Sequence, residues 1–182
     1  MVEKIKINVI DLDKTLISYD SFRVLVMREI KTGRTYVIWI TFLRIVRLLP
    51  SGKYKEKVAK YLQKTHNKTY FENFAATLYN NIDKEVLQLI DNYTETGTIN
   101  ILLSASPNFF VKYLIERLAW RGSGSFIDKE NTFVHLYRKE KINWLAHHYT
   151  SDRYDYNFAI SDSSTDDELL SLFQESIKWI KS

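Results

Sequence analysis

Two aspartates close an apolar run in "INVIDLDKT", residues 7–15, with a single residue between Asp11 and Asp13. A carboxylate can act as nucleophile, metal ligand or general acid/base, so one reading of a pair this close is a phosphoryl-transfer site. The competing reading is a strand that stops at a polar turn. With the strand ending here, the two side chains are expected to point different ways. Two further polar clusters follow apolar runs: Ser104-Ala105-Ser106 after "NILL", and Ser161 through Asp166 after "NFAI". One polar strand end is a turn. Three on one edge make a pocket, because open parallel sheets bind ligands at the carboxyl ends of their strands.

Bringing three strand ends together requires a parallel sheet, and the periodicity predicts one. "INVI", "TINILLS", "YNFAIS" and "SIKWI" read as strands, with short β pieces at "SFI" and "TFVHLY". "DKEVLQLIDNYTETG", "PNFFVKYLIERLAW", "KEKINWLAHHY" and "STDDELLSLF" read as the intervening helices, with Pro107 in the first turn of the second. The expected class is α/β, a Rossmann-like three-layer parallel sheet. From Asp20 to about Asn81 the pattern is helical almost throughout, roughly four helices without a strand. Residues 1–17 and 83–182 are therefore expected to form the core, and residues 18–82 an all-helical cap inserted after the first strand.

The 182 residues, 45% hydrophobic with only five glycines and two prolines, exclude a disordered chain. Without cysteine there is no disulfide and no thiolate chemistry. The net charge of +4 gives a mild preference for anionic partners. The basic residues are spread through the predicted helices without a dense arm, so no nucleic-acid partner is expected. Charges in "MVEKIKINVID" interrupt the apolar core a secretion signal needs, and a cytoplasmic protein is expected. None of His66, His135, His147 and His148 shows metal-ligand spacing.

The stretch "YVIWITFLRIVRLL", 36–49, is too short to span a bilayer and carries Arg44 and Arg47. On a helix, Thr41, Arg44 and Arg47 share one stripe. The expectation is a cap helix buried in its own bundle. The alternative is a helix facing a lipid-like or membrane-borne phosphate ester, its arginines near the anionic groups, with peripheral membrane contact through the cap.

Taken in order, "DLDKT", "SAS", Lys141 and "DSSTD" resemble the four motifs of the haloacid dehalogenase superfamily of phosphohydrolases. The resemblance is to the branch with a small helical cap that includes phosphoserine phosphatase and several lipid-phosphate phosphatases. Outside the core, the cap matches only in position and helicity. The resemblance implies an aspartyl-phosphate on Asp11 and a magnesium ion between Asp11, the backbone carbonyl of Asp13 and Asp162. It leaves the Asp13 side chain to protonate the leaving oxygen and then activate water. Lys141 would offset negative charge, and the Ser104 hydroxyl with backbone N–H groups around Ala105 would bind phosphoryl oxygens. Asp166 and Thr15 would support these groups from behind. Asp20 is either a substrate-reading acid or the N-cap of the first cap helix. Arg138 and Ser161 stand where the family usually has glycine.

The charge balance has its own logic. A phosphate monoester carries about −2, Asp11 and Asp162 add to it, and a magnesium ion alone leaves the site short of positive charge. The expected function is a Mg2+-dependent phosphomonoester hydrolase acting on a small-molecule or lipid phosphate. A phosphotransferase or mutase with the same residues is the first alternative, and a non-catalytic phosphate-binding protein the second.

Overall fold

The computed structural model describes residues 4–180; positions 1–3 and 181–182 of the expected core lie outside the described residues. Alternation in "IKINVI" produces strand β1 (Ile5–Ile10), which sends Ile7 and Val9 to one side of the sheet and Ile10 to the other. The later apolar runs form β2 (Ile99–Pro107), β3 (Arg121–Ile127), β5 (Tyr154–Ser161) and β6 (Glu175–Lys178), with a two-residue β4 (Phe133–Val134). The sheet order is β4-β3-β2-β1-β5-β6, parallel throughout except for the β3–β4 pair. The chain winds outward from β1 through β2 and β3, then returns to β1's other edge as β5. That reversal puts the topological switch point at the carboxyl end of β1.

Both faces are covered, as the α/β pattern predicts. Leu102, Phe158 and Ile160 share one apolar cluster with Phe110 and Leu114 of α6 (Asn108–Leu118). On the opposite face Ile101, Leu103 and Ala159 meet Leu145 of α7 (Lys139–His148) and Leu169 of α8 (Asp167–Leu170). A half-buried amide chain, Asn157 to Asn8 (2.8 Å) to Asn100 (2.9 Å), ties β5, β1 and β2 in register. Pro107 sits at the end of β2, as the residue that caps α6, not in its first turn. "STDDELLSLF" is shorter as a helix than its pattern predicts: one 3₁₀ turn (Ser164–Asp166) and then α8. Phe173 turns into the core and the Gln174 N–H pairs with the Tyr156 carbonyl (2.9 Å), leading the chain straight into β6.

Between β1 and α5 (Lys84–Asn92) lie α1 (Ser21–Lys31), α2 (Thr35–Ile45), α3 (Ser51–Thr65) and α4 (Lys68–Asn80). The segments entering and leaving this block run side by side: Ile17 bridges Ile82, and the Asp83 N–H donates to the Leu16 carbonyl (2.9 Å). The block is not loosely tethered. Phe71 and Phe74 of α4 pack on Phe109 and Phe110 of α6, with ring centroids 4.5 and 5.0 Å apart. One apolar cluster runs from Ile10 and Phe158 through Phe110 into Leu25 and Leu62. Buried Glu29 of α1 fixes the block internally, contacting His66 Nε2 (2.9 Å) and accepting from the Tyr70 hydroxyl (2.5 Å).

Helix α2 departs from the expected burial. Only Val37 and Ile40 are buried, while Ile38, Trp39, Phe42, Ile45 and Val46 are exposed. The inward side carries Thr41, whose hydroxyl meets that of Tyr54 on α3 (3.1 Å). A helix that is apolar nearly all round, packed along one side, leaves its remaining apolar surface uncovered.

Candidate active site

Strand β1 stops at Ile10, and the loop after it is wound tightly. The Asp11 N–H still donates to the Ile160 carbonyl (3.0 Å), and Lys14 turns the chain at φ +59°. A continuing strand would put residues two apart on one face; the turn is what gives Asp11 and Asp13 separate partners. The Lys141 ammonium donates to Asp11 Oδ1 (2.7 Å) and to Asp166 Oδ2 (2.6 Å). The Ser161 hydroxyl donates to the same Asp166 oxygen (2.8 Å). Asp13 accepts from the Ser21 N–H (2.6 Å) and from the Ser106 hydroxyl (2.6 Å). The Asp162 N–H donates to Thr15 Oγ1 (2.9 Å), joining the β1 and β5 loops.

These groups open on a cavity of about 190 Å³ at the switch point. Asp11, Asp13, Asp162, Asp166, Lys141 and Ala105 line it, as does Asp20, which also caps α1 by accepting from the Arg23 N–H (2.8 Å). Among the described residues, five aspartates face three lysines there. Burial raises Asp11 to about 7, against the pull of Lys141. Burial would lower the Lys141 ammonium, but Asp11 and Asp166 outweigh it and hold the ammonium above the ordinary lysine value. Burial likewise raises Asp13, opposed by the Ser106 and Ser21 hydrogen bonds. Asp162 is raised by burial and held back by Lys14.

Three expected residues lie apart from this group. Ser104 is fully buried beneath the cavity wall, its hydroxyl accepting from the Ser106 N–H (3.0 Å). Arg44 is half-buried on α2, close enough to act electrostatically on Tyr54, and Arg47 lies exposed in the turn after it; neither lines the cavity. Sequence reasoning missed Ser106, Lys55 and Tyr137. The second serine of "SAS" is itself a signal, since Ser106 stands at the same polar strand end as Ser104. Lys55 of α3 is one lysine among several on its helix and carries no signal. It reaches the cavity next to His135 Nε2 (3.4 Å), a ring that burial and Lys55 lower to about 4.

Arg138 begins α7 at φ +52°, in the region that favours glycine. Its backbone, not its side chain, sets the turn that aims Lys141. Arg138→Gly is therefore expected to raise stability by about 1 kcal/mol through relief of that strain. An unchanged urea midpoint would show that the turn carries no such strain.

The family model for haloacid dehalogenase-like hydrolases matches residues 9–171. Among solved structures, a protein of unknown function from Bordetella pertussis Tohama I superposes with a TM-score of 0.73 at 14% identity, over 96% of this chain and 89% of that one. A HAD family hydrolase from Salmonella enterica serovar Typhi gives 0.60 at 14% identity, over 95% and 67%. A phosphoserine phosphatase solved as a phospho-aspartyl intermediate analogue gives 0.53 at 15%, over 97% and 95%. At these identities the likeness is one of fold. A search of curated proteins gave no significant match.

Proposed function

The chain belongs to the haloacid dehalogenase-like hydrolases, and from that premise we propose a magnesium-dependent phosphomonoester hydrolase that works through an aspartyl-phosphate on Asp11. The observation that carries the reading is the Asp11–Lys141–Asp166 chain of contacts opening, beside Asp13 and Asp162, on a cavity at the switch point.

The donors fit a hard divalent cation. They are all oxygens, and five aspartates against three lysines leave the cavity acidic, a poor host for a phosphate dianion without added positive charge. Asp11 and Asp162 would hold the cation with two carboxylates and Asp13 with its backbone carbonyl, while among the described residues no three acidic, His or Cys side chains form a metal cluster. Bound there, magnesium would supply charge neutralisation to the phosphoryl oxygens.

The chain's own groups account for the remaining steps. An Asp11 oxygen attacks phosphorus as the ester oxygen departs, and Asp13 gives that oxygen its proton. Asp13 then takes a proton from the water that cleaves the aspartyl-phosphate, which frees Asp11 and inorganic phosphate. Burial suits Asp13 to this exchange, because it favours the protonated form needed first. Lys141 holds Asp11 in place and offsets charge, and Asp166 with Ser161 holds Lys141. Domain roles follow the same reading, with residues 18–82 as the cap that sets what enters.

A groove of about 700 Å³ starts at the cavity's own Lys14 and Asp20 and runs along α1, where Tyr19, Val24 and Met27 alternate with Arg23, Arg28 and Lys31. It favours a lipid-linked ester over a small polar one. The reading places the protein in the cytoplasm, near a membrane surface; no described helix is long and apolar enough to cross one.

Phosphate release from an aryl phosphate should require magnesium and stop with EDTA. Across alkyl phosphates kcat/KM should rise with chain length and exceed that for phosphoserine. Metal-independent release would sink the proposal, and a flat chain-length series would sink the groove's part in it. Ser106→Ala should lower kcat about tenfold, since Asp13 loses one of its two fixed partners. The lost hydrogen bond also raises the Asp13 carboxyl further. The alkaline limb of kcat, where the acid loses its proton, should therefore move to higher pH; a limb that stays put would separate Ser106 from the proton transfer.

A further inference from the structure

We propose that the outer face of α2, with the turn that follows it, docks on an anionic phospholipid surface. Ile38, Trp39, Phe42 and Ile45 form one exposed stripe at helical spacing, and Leu48 extends it into the turn. Ile45 is 73% exposed and Leu48 74%, more than a folded chain commonly leaves to water on neighbouring residues. Among the described residues they stand outside both apolar clusters. An eleven-residue helix cannot span a bilayer, but lying flat it can bury such a stripe at the headgroup boundary.

Charge identifies the occupant. Between Arg23 and Lys64, spanning α1 to α3, there are eleven lysines and arginines and two acids, and one of those acids, Glu29, is buried against His66. The rest of the chain has fifteen basic residues against twenty acids. The exposed apolar stripe thus lies in the one strongly basic block of a chain that is acidic elsewhere. Arg34 stands at the stripe's beginning, and Arg44 and Arg47 near its end. A second copy would bring two basic blocks face to face, and a nucleic acid would leave the apolar stripe unsatisfied. An anionic lipid surface satisfies both the charge and the apolar area.

The docking does not depend on the hydrolase reading, and the two are measured separately. Purified protein should float with vesicles of equimolar phosphatidylcholine and phosphatidylglycerol, float less as salt rises, and remain free of pure phosphatidylcholine vesicles. Brominated lipid should quench tryptophan fluorescence, and Trp39→Phe should remove that quenching. Ile45→Asp with Leu48→Asp, both at exposed positions, should abolish flotation. Lys53→Gln with Lys57→Gln should weaken it by about fivefold per charge removed. All should hydrolyse a soluble aryl phosphate at the wild-type rate. Wild-type protein that does not float, equal binding to neutral vesicles, or undiminished flotation of the Ile45→Asp/Leu48→Asp protein would overturn the proposal. So would a dimer dispersed by that pair of changes in a protein that ignores vesicles.

Discussion

Asp11→Asn is expected to reduce phosphate release by at least about 10⁴-fold, since the amide cannot act as the nucleophile. The same change should make the metal-free protein more stable. Burial raises Asp11 from 3.8 to about 7 in the folded chain, so its ionised form is tolerated less well there than in the unfolded chain. The sign follows from linkage. A raised carboxyl penalises folding progressively between about pH 4 and pH 7, fully above that window and not at all below it. Asparagine mimics the protonated form, so the variant should gain at most about 4 kcal/mol at pH 8 in EDTA, and the gain should vanish below pH 4. Thermal melts of both proteins across that range test it, alongside single-turnover assays for the nucleophile. Equal hydrolysis rates would remove Asp11 from the chemistry. A stability difference independent of pH would remove burial as the cause of its raised value.

A buried carboxylate that sits where it costs stability is also what makes the candidate site stand out in the sequence. Apolar runs that end in Asp11-Leu12-Asp13, Ser104-Ala105-Ser106 and Ser161-Asp162 violate the expectation of a strand fading into an ordinary turn. Their alternating faces also foretold the three-layer sheet, since Ile7, Val9 and Ile10 divide between the two cores as their spacing requires. What the spacing could not convey is contact across distant segments. Lys141 and Asp11 are 130 residues apart and meet only because α7 crosses back over the switch point. Lys55 reaches the cavity through the packing of α3, which no local pattern encodes. The burial of α2 was misjudged for a related reason. An apolar helix signals that some surface could be covered, but how much the protein itself covers depends on how many neighbours the fold provides, and among the described residues the outer side of α2 stays exposed.

Lys141→Met should be the most damaging single substitution in the core, for stability as well as activity. The ammonium is buried between two carboxylates, at 2.7 Å from Asp11 and 2.6 Å from Asp166. Methionine fills the volume but leaves two buried acids facing each other without a cation. Removing one partner of a buried ion pair costs about 3–5 kcal/mol, mostly through the charge left behind. One of the two acids would relieve this by holding a proton, so the loss should be largest at high pH and shrink as pH falls. Arginine is no substitute, because its planar fork is longer and wider than the space that holds a point charge. Phosphate release should fall by about 10²–10³-fold even in protein that remains folded, through loss of a preorganised charge aimed at the phosphoryl group. The double change Lys141→Met/Asp166→Asn separates the two effects. It removes the second acid, so most of the stability should return while activity stays low. If the double variant is no more stable than Lys141→Met alone, the ammonium stabilises the fold by some route other than neutralising this pair. If Lys141→Met retains wild-type rates, Lys141 is a structural lysine and the charge that phosphoryl transfer needs must come from Lys14 or Lys55, the other two cations on the cavity wall.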